Sequence, residues 1–222
     1  MISCHISKVA TIAPRRGPIS AGLKAQLAEG LPRAAVRRFS DCGLMTHALL
    51  HQLGLGESEP LISASSFAES CSLEEFIDSF PTPSPARFQR SVHPSAVQQA
   101  RVSNAEPLRT YIPMAGLDGL AITAIRCALS MDEDSVVLIG VEECGTWAID
   151  VEAASDTAFA FAIRLSRAVS QNDSMGTISW DSDADGSETD CSLPTLFKHL
   201  HEHTPLHMSH PDMGSITLRW NN

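Results

Sequence analysis

The sequence predicts a layered α/β fold, and three observations carry that prediction. Strand-like and helix-like segments alternate through the first two thirds of the chain. Residues 108–143 read as a complete strand, turn, helix and strand. At 222 residues and 43% hydrophobic, the chain is long and apolar enough to bury a substantial core.

Taken in order, Ile2 to Ala13 alternates loosely and stops at Pro14, which suits an opening strand. Residues 15–33 are rich in Arg, Gly and Pro and predict no element. Most of 34–53 has helical spacing, through Ala34, Val36, Leu44, His47, Ala48 and Leu50, with fraying around Ser40–Gly43 and an end at Gly54 and Gly56. Pro60 to Phe67 is a second buried strand of small and apolar residues. Ser72, followed by Leu73-Glu74-Glu75, reads as a capping box that opens a short helix stopping before Pro81. Pro81-Thr82-Pro83-Ser84-Pro85 is expected to be extended, because each proline removes a donor and restricts its predecessor. The segment after Pro94, to Val102, is expected to be helical.

Leu108 to Pro113 reads as extended, and Met114 to Gly119 as a sharp turn. Leu117, Leu120, Ala121, Ala124, Ile125 and Ala128 then fall on one helical face. Ser135 to Val141 is a buried strand ending in Glu142-Glu143. Thr157 to Arg164 alternates small with large residues, as a strand packed against a close neighbour does. Met175 to Trp180 and Ser215 to Trp220 read as strands, with a short helix at Pro194–His203 between them. A single domain over 1–222 is the simplest division, with 170–222 as a core segment or a C-terminal extension.

Composition excludes several function classes. The net charge of −10 is uneven: residues 1–109 hold 11 Lys/Arg against 9 Asp/Glu, and residues 110–222 hold 5 against 17. Such a balance disfavours sequence-independent binding of nucleic acid. No apolar run is long enough to span a bilayer, and Met1-Ile2-Ser3-Cys4-His5 does not open a signal peptide, so a cytoplasmic location is expected. Cys4, Cys42, Cys71, Cys127, Cys144 and Cys191 are widely spaced without a Cys-x-x-Cys, which fits reduced thiols.

Several fragments, in order, resemble a known family. They are Arg37-Arg38-Phe39-Ser40, the Ser-rich strand at 61–67 with Glu69 and the Ser72 helix, and Pro85-x-x-Phe88-x-x-Ser91-Val92-His93. The Ala115-Gly116-x-Asp118 turn, Val136 to Glu143, Ala158 to Arg164 and Leu218-Arg219-Trp220 complete the series. Together they are similar to the short β-ketoacyl synthase N-terminal-like family, whose members act as chain length factors in aryl polyene and related bacterial type II polyketide or fatty acid pathways. The resemblance implies a thiolase-like, ketosynthase-type layered fold, cut to about half of a full ketosynthase. The chain departs from the family after His93, where Pro94, Gln98 and Gln99 stand in place of Asn and small residues.

In a ketosynthase the turn before the central helix carries a nucleophilic cysteine, and two histidines in Gly-rich motifs complete the chemistry. Neither the cysteine nor those motifs occur here. The resemblance therefore implies no catalytic residue and no cofactor, with Met114 or Gly116 at the lost nucleophile's place. Counting back from Glu142 points to Met114, and turn chemistry points to Gly116. It further implies a heterodimer with a β-ketoacyl synthase subunit, in which Phe88, Ser91, Val92, His93, Tyr111 and Ile112 border an acyl tunnel or the interface. An acyl carrier protein would reach the complex through the catalytic partner or through the basic stretch Arg87, Arg90, Arg101, Arg109, since carriers are acidic.

Two other functions compete with this reading: a condensing enzyme with a relocated nucleophile at Cys71, Cys127 or Cys144, and a stand-alone acyl-binding or scaffolding protein. Other motifs have plainer explanations. Asp181-x-Asp183-x-Asp185-Gly186 opens like a calcium loop but has Ser192 where the twelfth-position Glu belongs, which favours a solvated acidic loop. His199 and His203 share a helix face, yet Pro205 stands where the second His of a His-Glu-x-x-His motif would be, so surface histidines and no metal site are expected. Ser63, Ser65 and Ser66 lack a nucleophile elbow, and Glu142-Glu143 at a strand end suit a polar cap or helix N-terminus partner.

Overall fold

The computed structural model describes residues 1–17, 19–56, 59–103, 107–169, 173–183 and 188–221. Its centre is an eight-stranded sheet built from β1 (Ile2–Arg15), β2 (Leu61–Ser65), β3 (Tyr111–Ala115), β4 (Ser135–Glu142), β5 (Ala158–Ser166), β6 (Gly176–Asp181), β7 (Leu206–His210) and β8 (Gly214–Trp220). The strand order is β3-β2-β4-β5-β1-β6-β8-β7. β2 runs parallel to β3 and β4, and every other neighbouring pair is antiparallel. Parallel strands need crossovers, and helices supply them on both faces.

The continuous apolar run of β4 follows from that burial. Val136 and Leu138 enter one core and Val137, Ile139 and Val141 the other. β5 splits by residue size instead. Ala158, Ala160 and Ala162 face α3 (Asp41–Leu53) and α6 (Ser95–Ser103), while Phe159, Phe161, Ile163 and Leu165 face α7 (Leu120–Ser130) and α8 (Leu193–His201). Small residues allow a close helix on one side, and large ones fill a wider gap on the other. Phe161 lies opposite Gly140 across the β4–β5 pair, and a Cβ at 140 would run into its ring. Fully burying one such side chain contributes roughly 1.5–3 kcal/mol.

The structure revises several boundaries. A short helix α1 (Ala21–Leu27) sits within 15–33, capped by Ser20. The expected helix over 34–53 is two, α2 (Arg33–Val36) and α3, because Ser40 turns its hydroxyl to the Gly43 N–H and starts the second one; Gly54 closes it in the left-handed region at φ 67°. The helix expected from Ser72 is α4 (Ser70–Ile77), with Glu69 at its N-cap and Ser72 inside it. Pro85 is not extended but begins α5 (Pro85–Ser91), where the missing N–H costs nothing. Met114 and Ala115 belong to β3 and not to the turn, and Leu117 lies before α7, 61% exposed, instead of on its buried face.

β7 lies within the histidine-rich segment that had predicted no strand. β6, β8 and β7 extend the same sheet, and α8 buries Leu193, Leu196, Phe197 and Leu200 against it. No helix among the described residues is long and apolar enough to cross a membrane.

Candidate functional site

The C-terminal ends of β2 and β4 meet the starts of several helices, and four buried glutamates hold that junction together. Glu142, the last residue of β4, accepts from the Ser65 hydroxyl at 3.2 Å and from the Ser66 and Phe67 N–H groups. Glu143 accepts from Cys42 N at 3.0 Å at the start of α3, and from Cys71 N and Ser72 N at 3.1 and 3.3 Å at the start of α4. Both carboxylates therefore serve as polar caps, as their place at a strand end suggests. Glu69 receives Ala96 N at 2.8 Å and the Ser95 hydroxyl at 3.2 Å at the start of α6, and stands 3.3 Å from His93 Nδ1. Glu74 accepts from Thr146 N and Ala148 N, at 2.9 and 2.6 Å, and fixes the loop after β4.

Burial carries the Glu142 carboxyl up to about 7, against the hydrogen bonds it receives. Burial likewise carries Glu143 up to about 7, with Asp41 and Glu69 adding like charge. In the sequence Glu69 stood only in the family-like fragment and Glu74 only in the capping-box stretch after Ser72, and neither place signalled its burial. Only the neighbouring helix and loop reveal why they are buried.

The residues singled out as site candidates separate into two places. His93 and Tyr111 share a narrow cleft with Ser63, Ser65, Glu69 and Cys42. Ser63 Oγ and Tyr111 OH share a hydrogen bond of 2.8 Å, and burial pushes the Tyr111 phenol up to about 12. The cleft encloses about 10 Å³, room for about one water. Phe88 and Val92 lie instead in a wide groove of about 840 Å³, both exposed. Ser91 ends α5, its hydroxyl donating to Phe88 O at 2.8 Å. Ile112 packs toward the α7 side of the sheet while Tyr111 packs toward the α3 side, as successive strand residues must.

Met114 pairs in register with Ala64 in the edge strand β3, half-buried. Gly116 follows at φ +150°, a backbone conformation that strains any L side chain. Neither is at the N-terminus of α7, which Gly119 caps. Among the alternative thiols, burial and then Glu143 push Cys71 up to about 12, and burial raises Cys127. Thiolate formation, which a nucleophile needs, is disfavoured at both.

The histidines of the C-terminal segment are engaged one by one. His199 Nδ1 is 2.8 Å from Thr204 Oγ1, His201 Nδ1 is 2.8 Å from Thr11 Oγ1, and His207 Nδ1 is 3.2 Å from Thr217 Oγ1. Among the described residues no group of three His, Cys, Asp or Glu could hold a metal ion. Of the calcium-loop motif, Asp185 and Gly186 lie outside the described residues, and Ser192 is the N-cap of α8.

Comparison with solved structures decides the fold family. A chain from the ketosynthase ApeO in complex with its chain length factor ApeC, from Xenorhabdus doucetiae, superposes with a TM-score of 0.71 at 18% identity, covering 99% of this chain and 100% of that one. This chain has the thiolase-like, ketosynthase-type fold. A β-ketoacyl synthase from Burkholderia phymatum STM815 matches with a TM-score of 0.59 at 11% identity over 85% of this chain and 66% of its own. The ishigamide ketosynthase/chain length factor matches with a TM-score of 0.54 at 12% identity, over 72% and 54%. No family model matches the chain, and no curated protein does. The ketosynthase-type fold thus appears here at 222 residues, shorter than a full ketosynthase.

Proposed function

We propose that this chain is the non-catalytic chain length factor of a β-ketoacyl synthase heterodimer, shaping the acyl tunnel and so setting product length in aryl polyene or related polyketide or fatty acid synthesis. The observation that carries the proposal is the end-to-end match with a chain of a ketosynthase and chain length factor complex, covering 99% of one chain and 100% of the other. The sequence lacks both the turn cysteine and the histidine motifs of a condensing enzyme.

The surface supports the same reading. β3 is an edge strand, and among the described residues its backbone makes no hydrogen bond beyond the pair with β2. Exposed Leu117 follows that strand, and Leu73, Ile77, Phe80, Phe88 and Val92 are exposed on α4, α5 and the turns beside them. A partner strand at β3 and an apolar partner surface over those side chains are what a specific interface, which buries roughly 1,000 Å² or more, would use. Met114 or Gly116 then occupies the lost nucleophile's place. Phe88, Ser91, Val92, His93, Tyr111 and Ile112 border the tunnel or the interface, and the acyl carrier protein is met by the complex. A tunnel wall that admits one more two-carbon unit relieves a clash worth roughly 1–3 kcal/mol, enough to select length without chemistry.

The test is co-expression with a β-ketoacyl synthase encoded beside this chain, followed by size-exclusion chromatography and intact mass after an acyl-carrier assay. A one-to-one complex acylated only on the synthase is expected. A free monomer that is itself acylated would discard the proposal.

A further inference from the structure

The turn between β7 and β8 is pinned onto the start of α7. Trp180 donates its indole N–H to Met213 O at 2.8 Å, and Met213 N donates to His210 O at 3.2 Å. Gly214, at φ +82°, leaves no room for a Cβ against the Asp181 carbonyl oxygen, so β8 begins pressed to the end of β6. On the facing side His210 Nε2 stands 3.6 Å from the Asp118 carboxylate, in the turn before α7. These contacts fix where the Met213 side chain goes.

It goes to the helix N-terminus. Thr123 Oγ1 donates to Met213 Sδ at 3.5 Å. Gly119, the N-cap of α7 at φ +59°, lacks a Cβ where one would overlap that sulfur and lie 2.7 Å from the Met213 Cε. Met213 therefore fills the volume that any side chain at 119 would need. The strap before α8 takes a further share, because Ala121 N, one of the first-turn donors that a helix leaves unpaired, donates to Cys191 O at 3.3 Å.

The filled volume has a chemical character of its own. A first helical turn favours a thiolate or an oxyanion through its dipole and its free N–H groups. In a condensing enzyme of this fold, the turn before the helix carries the nucleophile. Here a thioether and a backbone carbonyl stand against that turn, and both come from the segment after β6. The positive φ of residue 119 accounts for a glycine there. It does not account for a methionine laid over it.

We propose that Met213 is a plug that keeps the start of α7 shut to acyl thioesters, so that acyl loading is left to a partner. The identity of what is shut out rests on the chain length factor reading. The plug is tested on the full chain alone, so the two can fail separately.

The first measurement leaves Gly119 untouched. Saturation-transfer NMR with the butyryl thioester of N-acetylcysteamine is run on the native chain, Met213→Ala and Met213→Leu, each first shown to be folded by its thermal melt. Transfer to the thioester is expected with Met213→Ala only, since leucine refills most of the space. The second measurement adds a thiol with Gly119→Cys, in the Met213→Ala and the Met213→Leu backgrounds. The new thiol gives its proton to solvent, its sulfur attacks the thioester carbonyl carbon, and the N-acetylcysteamine thiolate leaves and is protonated. Intact mass with peptide mapping should show acylation at position 119 at least about tenfold faster beside alanine than beside leucine.

Equal transfer to the native chain and to both variants, or none to a folded Met213→Ala chain, would overturn the proposal. Equal acylation rates beside alanine and leucine would overturn it as well. Failure of the native chain to pair with a ketosynthase would discard the chain length factor reading and leave these rates as they are.

Discussion

The sheet ends differently at its two sides. At the β7 side the chain supplies its own cover: Thr189 N donates to Ser209 O at 3.0 Å, Ser209 N donates to Thr189 Oγ1 at 2.8 Å, and the Cys191 thiol donates to the same carbonyl at 3.5 Å. At the β3 side no strap from the described residues reaches Tyr111–Ala115. Pro113, which has no N–H, belongs on the solvent side of an edge strand, so Tyr111, Pro113 and Ala115 turn their peptide groups outward. Among the described residues, one edge is covered by the chain itself and the other is not. An edge strand is an aggregation hazard unless managed, so leaving one uncovered points to a use.

Four experiments would break or sharpen this contrast, beginning with the largest effect on stability. Phe161→Ala removes a fully buried ring at the β4–β5 centre, and should cost roughly 3–5 kcal/mol in urea unfolding. Hydrogen exchange should then speed up at β3 and β7 alike; faster exchange at one end only would mean that the two edges are held independently.

The pH dependence comes next. Folding moves Glu142 and Glu143 up from 4.5 to about 7, so the folded state holds more protons between those values. Their stabilising contribution is full below about 4.5 and is lost as pH rises through about 7. Urea midpoints should therefore fall from about pH 5 to about pH 8, by up to roughly a few kcal/mol in unfolding free energy, and Glu143→Gln should flatten that slope. The two glutamates brace the end of β2, the neighbour of β3, and the starts of α3 and α4, so exchange on that side should respond to pH more than exchange at β7. A midpoint that rises over this range would contradict the assignment.

The fold was largely legible in the sequence where one residue pattern decides one element. β1, β2, β4, β5, β6 and β8 showed as alternating or continuous apolar runs, and α7 as a helical face from Leu120 to Ala128. Where two signals compete, the sequence misled. His207 and His210 drew attention to metal chemistry and hid β7, whose buried Leu206 and Met208 are too few to outweigh them. Ser20 was a cap lost among glycines and prolines, and Ser72 a plausible cap overruled by Glu143, which draws the helix start back to Glu69. The candidate site was legible only in pieces. His93 and Tyr111 converge on one cleft, but Glu69 and Glu74 required the tertiary structure, because burial of a carboxylate depends on donors far along the chain.

Two smaller effects act on the edges themselves. Thr189→Val takes an acceptor from the buried Ser209 N–H and should cost roughly 1–3 kcal/mol, with exchange rising first at β7. Ala115→Pro removes a second outward donor from β3. Stability should change by no more than about 1 kcal/mol, since Ala115 is exposed and Met114 before it is already extended. Association with the proposed ketosynthase partner, read by size-exclusion chromatography, should nevertheless weaken. Loss of association with Thr189→Val and not with Ala115→Pro would reverse the roles given to the two edges.

Pro113 has one more consequence, for what the chain avoids. A strand that adds to β3 finds a gap in the row of donors, and its own next copy would meet that gap again at every repeat. Fibril growth depends on an unbroken ladder passed from copy to copy, and here each step would begin one bond short. An edge can in this way be open to a single cognate strand and still be a poor seed for polymers.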